Sequence, residues 1–394
     1  MKADTPQNAG QPEAGFFPWH VQTARRWLQN RERFAHAWLI HGLAGTGKRH
    51  FARAAAASLL CETPVQGLAC GQCASCTWVA KGHHPDLRLI RPDAVAQQEE
   101  NEKVSEKTRE SGKKSTTPST DNENTSTARK TVSKEIRIDQ LRALHDWFNT
   151  TTHRAGWRVA VLYPAQALNL ICANALLKVL EEPPPHTIFL MVADAPDRLL
   201  PTLVSRCRRL PLPVPSLDAV LPWLQAQQLA QPQSWLAASG GAPLHALALS
   251  RQGQDACPDW LRQWAQAVVN AKSDAKGVAS PPDYLLLAEA VETLPATNWL
   301  DVLQRFFIDL QFAAYDLPPR YFPAIARLTQ ALAKPSGVVQ AHHPQPQHQQ
   351  AISHAAKWLN RQMRLANHPL NARLFAYKVL QHLGQICCGK TVPE

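Results

Sequence analysis

The amino-acid sequence predicts an α/β phosphate-loop domain on a parallel sheet, with an inserted four-cysteine knuckle, followed by a small helical domain and a second, all-α domain. Three observations carry this reading. A Gly-rich run ending in lysine, Gly42-Leu43-Ala44-Gly45-Thr46-Gly47-Lys48, stands between a strand-like stretch and a helix-like one. Up to Pro213, short apolar runs alternate with helical periodicity, as in strands covered on both faces by helices. Beyond Pro213, leucine, alanine and tryptophan recur at helical intervals and no strand pattern remains.

In order along the chain, residues 1–15 are polar and contain Pro and Gly, which reads as a disordered start without the basic and apolar segments of a signal peptide. A strand is expected within Phe34 to Gly42 and a helix over Lys48 to Leu60, followed by the knuckle at 61–76 and a strand over Asp86 to Ile90. From 93 to 134 the chain is Glu, Lys, Ser, Thr and Asn with almost no large apolar side chains, and disorder is expected. A helix from Ile136 to Phe148 and the strand Arg158 to Tyr163 follow. The next helix carries Ala173, Leu176, Leu177 and Leu180 and must stop at Pro183, Pro184 and Pro185. Thr187 to Ala193 is the last clear strand. The α/β domain is thus drawn at 16–213, the small helical domain at 214–254 and the larger one at 255–394, with a surface loop at 334–350.

The 42 Lys and Arg against 31 Asp and Glu leave a net charge of +11, compatible with a polyanionic partner. The 93–134 insert holds eight acidic and eight basic residues, so the excess lies in the folded parts. Apolar runs are of strand length, far short of the roughly 20 residues of a membrane-spanning helix. Nine cysteines, an odd count with four bunched together, fit a reducing compartment and metal ligation rather than disulfides. Cys61, Cys70, Cys73 and Cys76 form C-x8-C-x2-C-x2-C, which suits tetrahedral zinc in a closed, structural site. The remaining five cysteines have no ligand spacing.

Gly42, Gly45, Thr46, Gly47 and Lys48 carry the phosphate-binding pattern: glycines let backbone N–H groups face phosphates, and the lysine reaches the terminal ones. Magnesium, however, needs a Ser or Thr hydroxyl after the lysine and a carboxylate at the end of a later strand. This chain has Arg49 in the first place, and Tyr163, Pro164, Ala165 and Gln166 in the second. A magnesium site and ATP hydrolysis are therefore not expected, while phosphate binding through Gly47 and Lys48 stays open. Arg206, in Ser205-Arg206-Cys207, is by itself an ordinary surface arginine.

Taken together, AWLIHGLAGTGK, the knuckle, HPD at His84 to Asp86, ANALLKVLEEPP from Ala173 to Pro184 and the Ser205 to Cys207 triplet resemble the delta-prime subunits of bacterial DNA polymerase III clamp loaders, of the AAA+ class. The resemblance covers the first 210 residues well; the C-terminal half matches in helical character and in NARL at Asn371 to Leu374. It implies an AAA+ domain, a helical lid and a collar for oligomerisation. It implies that Arg206, with Ser205, serves as an arginine finger acting in trans on ATP held by a neighbouring subunit. It further implies gamma or tau and delta subunits as partners, and the beta sliding clamp and primer-template DNA through the complex. Single-stranded DNA-binding machinery would be met indirectly, in the bacterial cytoplasm at the nucleoid. A lid arginine of the family falls near Leu244 and is lost. Two other readings remain: a working ATPase of the gamma or tau type that binds magnesium by another route, and a zinc-dependent DNA binder.

Overall fold

A computed structural model of the 394-residue chain describes residues 14–29, 34–110, 132–148, 150–153, 156–252, 255–273, 282–334, 346–366, 368 and 370–389. The chain divides into two compact units, Met1–Val220 and Leu221–Glu394. The first contains, in order, α1 (Pro18–Leu28), β1 (Ala37–His41), α2 (Lys48–Leu60), α3 (Ala74–Lys81), β2 (Leu87–Ile90), α4 (Asp93–Glu110), α5 (Ile138–Phe148), β3 (Arg158–Leu162), α6 (Leu170–Glu181), β4 (Thr187–Ala193), α7 (Pro201–Ser205) and β5 (Arg208–Pro211).

The five strands form one sheet in the order β2-β3-β4-β1-β5, every pairing parallel. Crossover helices cover both faces, which is why all of β3 and β4 is buried. On one face Phe51, Ala55 and Leu59 of α2 pack under Ile40, Val161 and Leu190; on the other Leu141 and Leu144 of α5 and Leu176 and Leu180 of α6 pack against Leu39, Leu162 and Met191. The edge strand β5 has no such cover on its exposed Arg208 and Arg209, whose charge guards the open edge against further pairing. Because the order places β3, β4 and β1 side by side, the residues after Leu162, Ala193 and His41 emerge together at the carboxyl end of the sheet, where open α/β sheets hold ligands.

The structure departs from the composition argument at the insert. Residues 93–110 form α4 rather than a disordered chain, and Glu99 on it is 4% exposed. Counting apolar residues misses this because the helix docks through a carboxylate gathered by arginines. Residues 111–131 lie outside the described residues, as do 1–13 of the polar start; Phe16, by contrast, is fully buried.

The second unit is helical: α8 (Leu217–Ala226), in which the division falls, α9 (Pro232–Ala238), α10 (Pro243–Ser250), α11 (Asp259–Ser273), α12 (Tyr284–Glu292), α13 (Ala296–Ala314), α14 (Ala326–Ala333), α15 (Pro346–Leu365) and α16 (Ala372–Cys387). The segment expected as a separate small domain joins this unit, because Ala238 enters the same apolar core as Trp264, Phe306, Phe307 and Leu380 and its carbonyl accepts a hydrogen bond from Arg305. Leu244 lies in α10. The loop expected at 334–350 is shorter: α15 begins at Pro346, and the His348 ring nitrogen lies 3.2 Å from the Leu332 carbonyl at the end of α14. Residues 335–345 are outside the described residues. Among the described residues, no helix is long and apolar enough to cross a membrane.

Candidate functional site

The loop Gly42 to Lys48 runs from the end of β1 into α2. Two of its glycines have no substitute. A Cβ on Gly42 would stand 2.2 Å from the Leu212 carbonyl oxygen, and Gly47, at φ +99°, would meet the Phe17 ring at 2.7 Å. The loop is closed by its own chain. Thr46 donates its hydroxyl to the Leu43 carbonyl at 3.0 Å, and the Trp19 indole donates to the Thr46 carbonyl at 3.0 Å. Phe17 stacks on Trp19 with ring centroids 4.8 Å apart, so the two aromatics cover the backbone of Thr46 and Gly47, both buried. Beneath them His20 is buried; burial, then the nearby Lys48 and His50, lowers its imidazole to about 4, so it is neutral at neutral pH. Lys48, 3% exposed, donates to the Leu43 carbonyl at 2.5 Å and pairs with Asp194 at 2.6 Å.

Arg49 and Tyr163 stand where a magnesium site would need a hydroxyl and a carboxylate, and both turn to Glu99 of α4. The Tyr163 hydroxyl donates to Glu99 Oε1 at 2.7 Å, Arg49 approaches the same oxygen at 3.5 Å, and Arg53 lies 3.7 Å from Oε2. Arg91 Nε is 3.2 Å from Oε2, close enough for charge pairing although its N–H is not aligned for a hydrogen bond. A carboxylate enclosed by three guanidinium groups and a phenol is a satisfied buried charge, and it fixes α4 to α2 and β3. Glu99→Gln removes the only negative charge of this group. It is expected to lower stability by about 2 kcal/mol, discounted from the buried-pair range because the arginines are partly exposed; urea unfolding monitored by circular dichroism measures it.

The cysteine knuckle starts where α2 ends, with Cys61 as the residue that caps that helix, and ends inside α3, whose cap is Cys73. The four sulfurs lie within 4.8 Å of one another. Zinc–sulfur bonds of about 2.3 Å place the corners of a tetrahedron about 3.8 Å apart. The Cys61–Cys73 and Cys70–Cys76 sulfur separations are 3.9 and 4.0 Å. The sulfurs also receive the hydrogen bonds that thiolates need. Cys70 N–H donates to Cys61 Sγ at 3.3 Å, Cys73 N–H to Cys70 Sγ at 3.4 Å and Cys76 N–H to Cys73 Sγ at 3.4 Å. The Thr63 hydroxyl, then the N–H groups of Gln72 and Cys73, bring the Cys70 thiol down to about 6, whereas burial pushes the thiols of Cys61 and Cys76 up. The cluster can hold a metal ion, and its geometry fits zinc with all four positions filled.

Behind the knuckle, Ser75 donates to Glu62 at 3.2 Å and lies 3.2 Å from His84 Nε2, while His84 Nδ1 accepts the Asp86 N–H at 3.1 Å. With Nδ1 accepting and Ser75 already donating, His84 carries its proton on Nε2. The Asp86 carboxylate in turn accepts the His153 N–H at 3.0 Å. The HPD segment thus ties the knuckle to the start of β2, and His84 is not a metal ligand.

Ser205 and Arg206 stand apart from the loop. Arg206 precedes β5, whose register with β1 runs from Trp38↔Arg208 to His41↔Pro211. The phosphate loop follows β1, so the two lie at opposite ends of the sheet, about 16 Å apart along five residues of strand. Arg206 donates from Nη1 to the Thr202 carbonyl at 3.0 Å and from Nη2 to Glu181. The Ser205 hydroxyl donates to the Thr202 carbonyl at 3.0 Å.

Two residues of this region escaped the sequence reading. Asp194, the partner of Lys48, also accepts from Gln166 at 3.3 Å. Its signal was available: it is the first charged residue after the buried run Thr187 to Ala193, at a strand's carboxyl end. Glu99 had no such signal, since it sits in a segment that composition marks as disordered.

Comparison with known proteins agrees with this architecture. A family model described as "DNA polymerase III, delta subunit" matches residues 21–216. The DNA polymerase III subunit delta' of Pseudomonas aeruginosa is 36% identical over 287 residues, covering 72% of this chain and 73% of that one. The subunit delta' of Escherichia coli is 30% identical over 293 residues, covering 72% and 74%. The DNA polymerase III subunit tau of Escherichia coli is 29% identical over 188 residues, covering 48% of this chain and 23% of its own length.

Proposed function

Because the chain belongs to the family of DNA polymerase III delta-prime subunits, we propose that it is a non-hydrolysing AAA+ subunit of a clamp loader that completes a neighbour's ATP site with Arg206. It assembles with gamma or tau and delta subunits and supports loading of the beta sliding clamp on primed DNA. The observation that carries this reading is the filling of its own site: Lys48 is neutralised by Asp194, and Arg49 and Tyr163 are committed to Glu99. A loop in that state has no hydroxyl directly after the lysine, where Arg49 stands, and no carboxylate after β3, while the nearby carboxylate, Asp194, is taken up by Lys48. Arg206, about 16 Å away along the sheet, is out of reach of that loop and partly exposed, where an incoming subunit could meet it.

Supplied from outside, a guanidinium stabilises the charge that builds on the transferred phosphoryl group, and its fork of N–H donors matches the phosphoryl oxygens. In this reading Arg206 contributes that charge and Ser205 holds the turn that presents it. Zinc on Cys61, Cys70, Cys73 and Cys76 closes the knuckle and takes no part in chemistry, since a four-thiolate site leaves no open position.

The test is twofold. The purified chain is expected to show no magnesium-dependent ATP turnover, and a tag on it is expected to bring down delta and gamma or tau subunits from cell extract. Turnover that Lys48→Ala abolishes would show a working ATPase instead, and recovery of the chain without those partners would overturn the assembly.

A further inference from the structure

We infer that Glu181 is a positioning residue for Arg206, holding the guanidinium in the orientation it presents to the neighbouring subunit; the inference rests on the finger reading above. Glu181 is the last residue of α6, and an ion pair between half-exposed side chains is usually a weak, incidental contact. Three features set this one apart.

The first is the cost of its location. A carboxylate at a helix C-terminus faces the negative end of the helix dipole, so Glu181 is unfavourably placed unless a cation meets it. The cation that meets it is Arg206. The second is the rigidity of both supports. Leu180, one residue before Glu181, is 2% exposed, its carbonyl lies 3.0 Å from the His36 ring nitrogen, and Pro183 forbids any extension of the helix. On the other side Leu203, Val204 and Cys207 around Arg206 are buried in the same core cluster as Leu180. Two polar tips therefore project from backbone that the core holds fixed.

The third is the division of the guanidinium's donors. Of its five N–H groups, one on Nη1 goes to the Thr202 carbonyl and one on Nη2 to Glu181, which leaves three for phosphoryl oxygens. Two anchors on different helices define the plane of the group without exhausting it. An arginine side chain otherwise has many rotamers to lose on meeting its target, and a charge fixed in advance stabilises a transition state better than one that must reorganise.

The test uses the complex assembled from this full chain with its gamma or tau and delta subunits, in the presence of clamp and primed DNA. At the ATP site this chain completes, read with the other motor subunits inactivated, Glu181→Gln is expected to lower kcat about tenfold with KM within twofold of wild type, since binding of ATP is the neighbour's task and only its orientation against Arg206 changes. Glu181→Asp should recover part of the loss, and Glu182→Gln, one residue on, should turn over as wild type. The double variant Glu181→Gln/Arg206→Ala should be no slower than Arg206→Ala, because Glu181 acts through that arginine.

Wild-type or faster turnover by Glu181→Gln beside a slow Arg206→Ala would overturn the positioning role and leave the finger standing. A double variant slower than Arg206→Ala by the full Glu181→Gln factor, or a Glu182→Gln as slow as Glu181→Gln, would also overturn it. Wild-type turnover by Arg206→Ala would remove the finger reading, and this inference with it.

Discussion

Arg206→Ala is expected to slow ATP turnover by the assembled complex about a thousandfold at the site this chain completes, near the lower limit for loss of an arginine finger. That factor corresponds to about 4 kcal/mol of transition-state stabilisation. KM for ATP should change little, because on the proposed finger role the phosphates and magnesium would be held by the neighbour and the guanidinium would act where charge develops. Arg206→Lys should restore only a small part: an ammonium keeps the charge but lacks the planar fork, and it cannot bridge Thr202 and Glu181 as the guanidinium does. Turnover at other sites of the complex should be unaffected, so single-turnover kinetics with each motor subunit inactivated in turn assigns the loss. An undiminished rate at every site would show that Arg206 is only half of a surface ion pair.

The second large effect concerns the knuckle. Stripping the metal with a chelator, or Cys73→Ser, is expected to unfold the segment from Cys61 to the start of α3 and to lower the stability of the first unit by about 5 kcal/mol. Structural zinc in isolated peptides is worth about 10–16 kcal/mol, and the surrounding fold here supplies part of the organisation. The apolar packing of the segment is thin, with Leu68 buried but Val65 64% exposed, so beyond polar contacts such as Ser75 to Glu62 and the Ala69 N–H to Ser58 its convergence rests on the four sulfurs. Elemental analysis should give one zinc per chain in the wild type and none after chelation, with a fall in melting temperature of about 10–20 °C. Zinc-free protein that melts with the wild type would show that the cysteines need no metal.

The phosphate loop and the knuckle were legible because each is a spacing along the chain, whereas the Ser205 to Cys207 triplet took its reading from the family resemblance alone. Glycines before a lysine, or four thiols within sixteen residues, can act together only if they are near one another in sequence, and their chemistry limits the readings. The strand Thr187 to Ala193 and the helix Lys48 to Leu60 fall on β4 and α2 for a similar reason: an apolar run or an apolar period is set within one element. From the same spacings came the expectation that magnesium has no ligands at Arg49 and Tyr163.

What those residues do instead was decided by the tertiary structure. Tyr163 meets Glu99 across 64 residues, from a segment whose composition argued against any fold, and Lys48 meets Asp194 only because β1 and β4 are neighbours in the sheet. The cover of Phe17 and Trp19 over Gly47 is likewise a meeting of α1 with α2 that no local pattern announces. Propensity and motif report on groups a few residues apart. A charge is neutralised by whatever the strand order brings beside it, and in a parallel sheet that partner comes from a distant part of the chain.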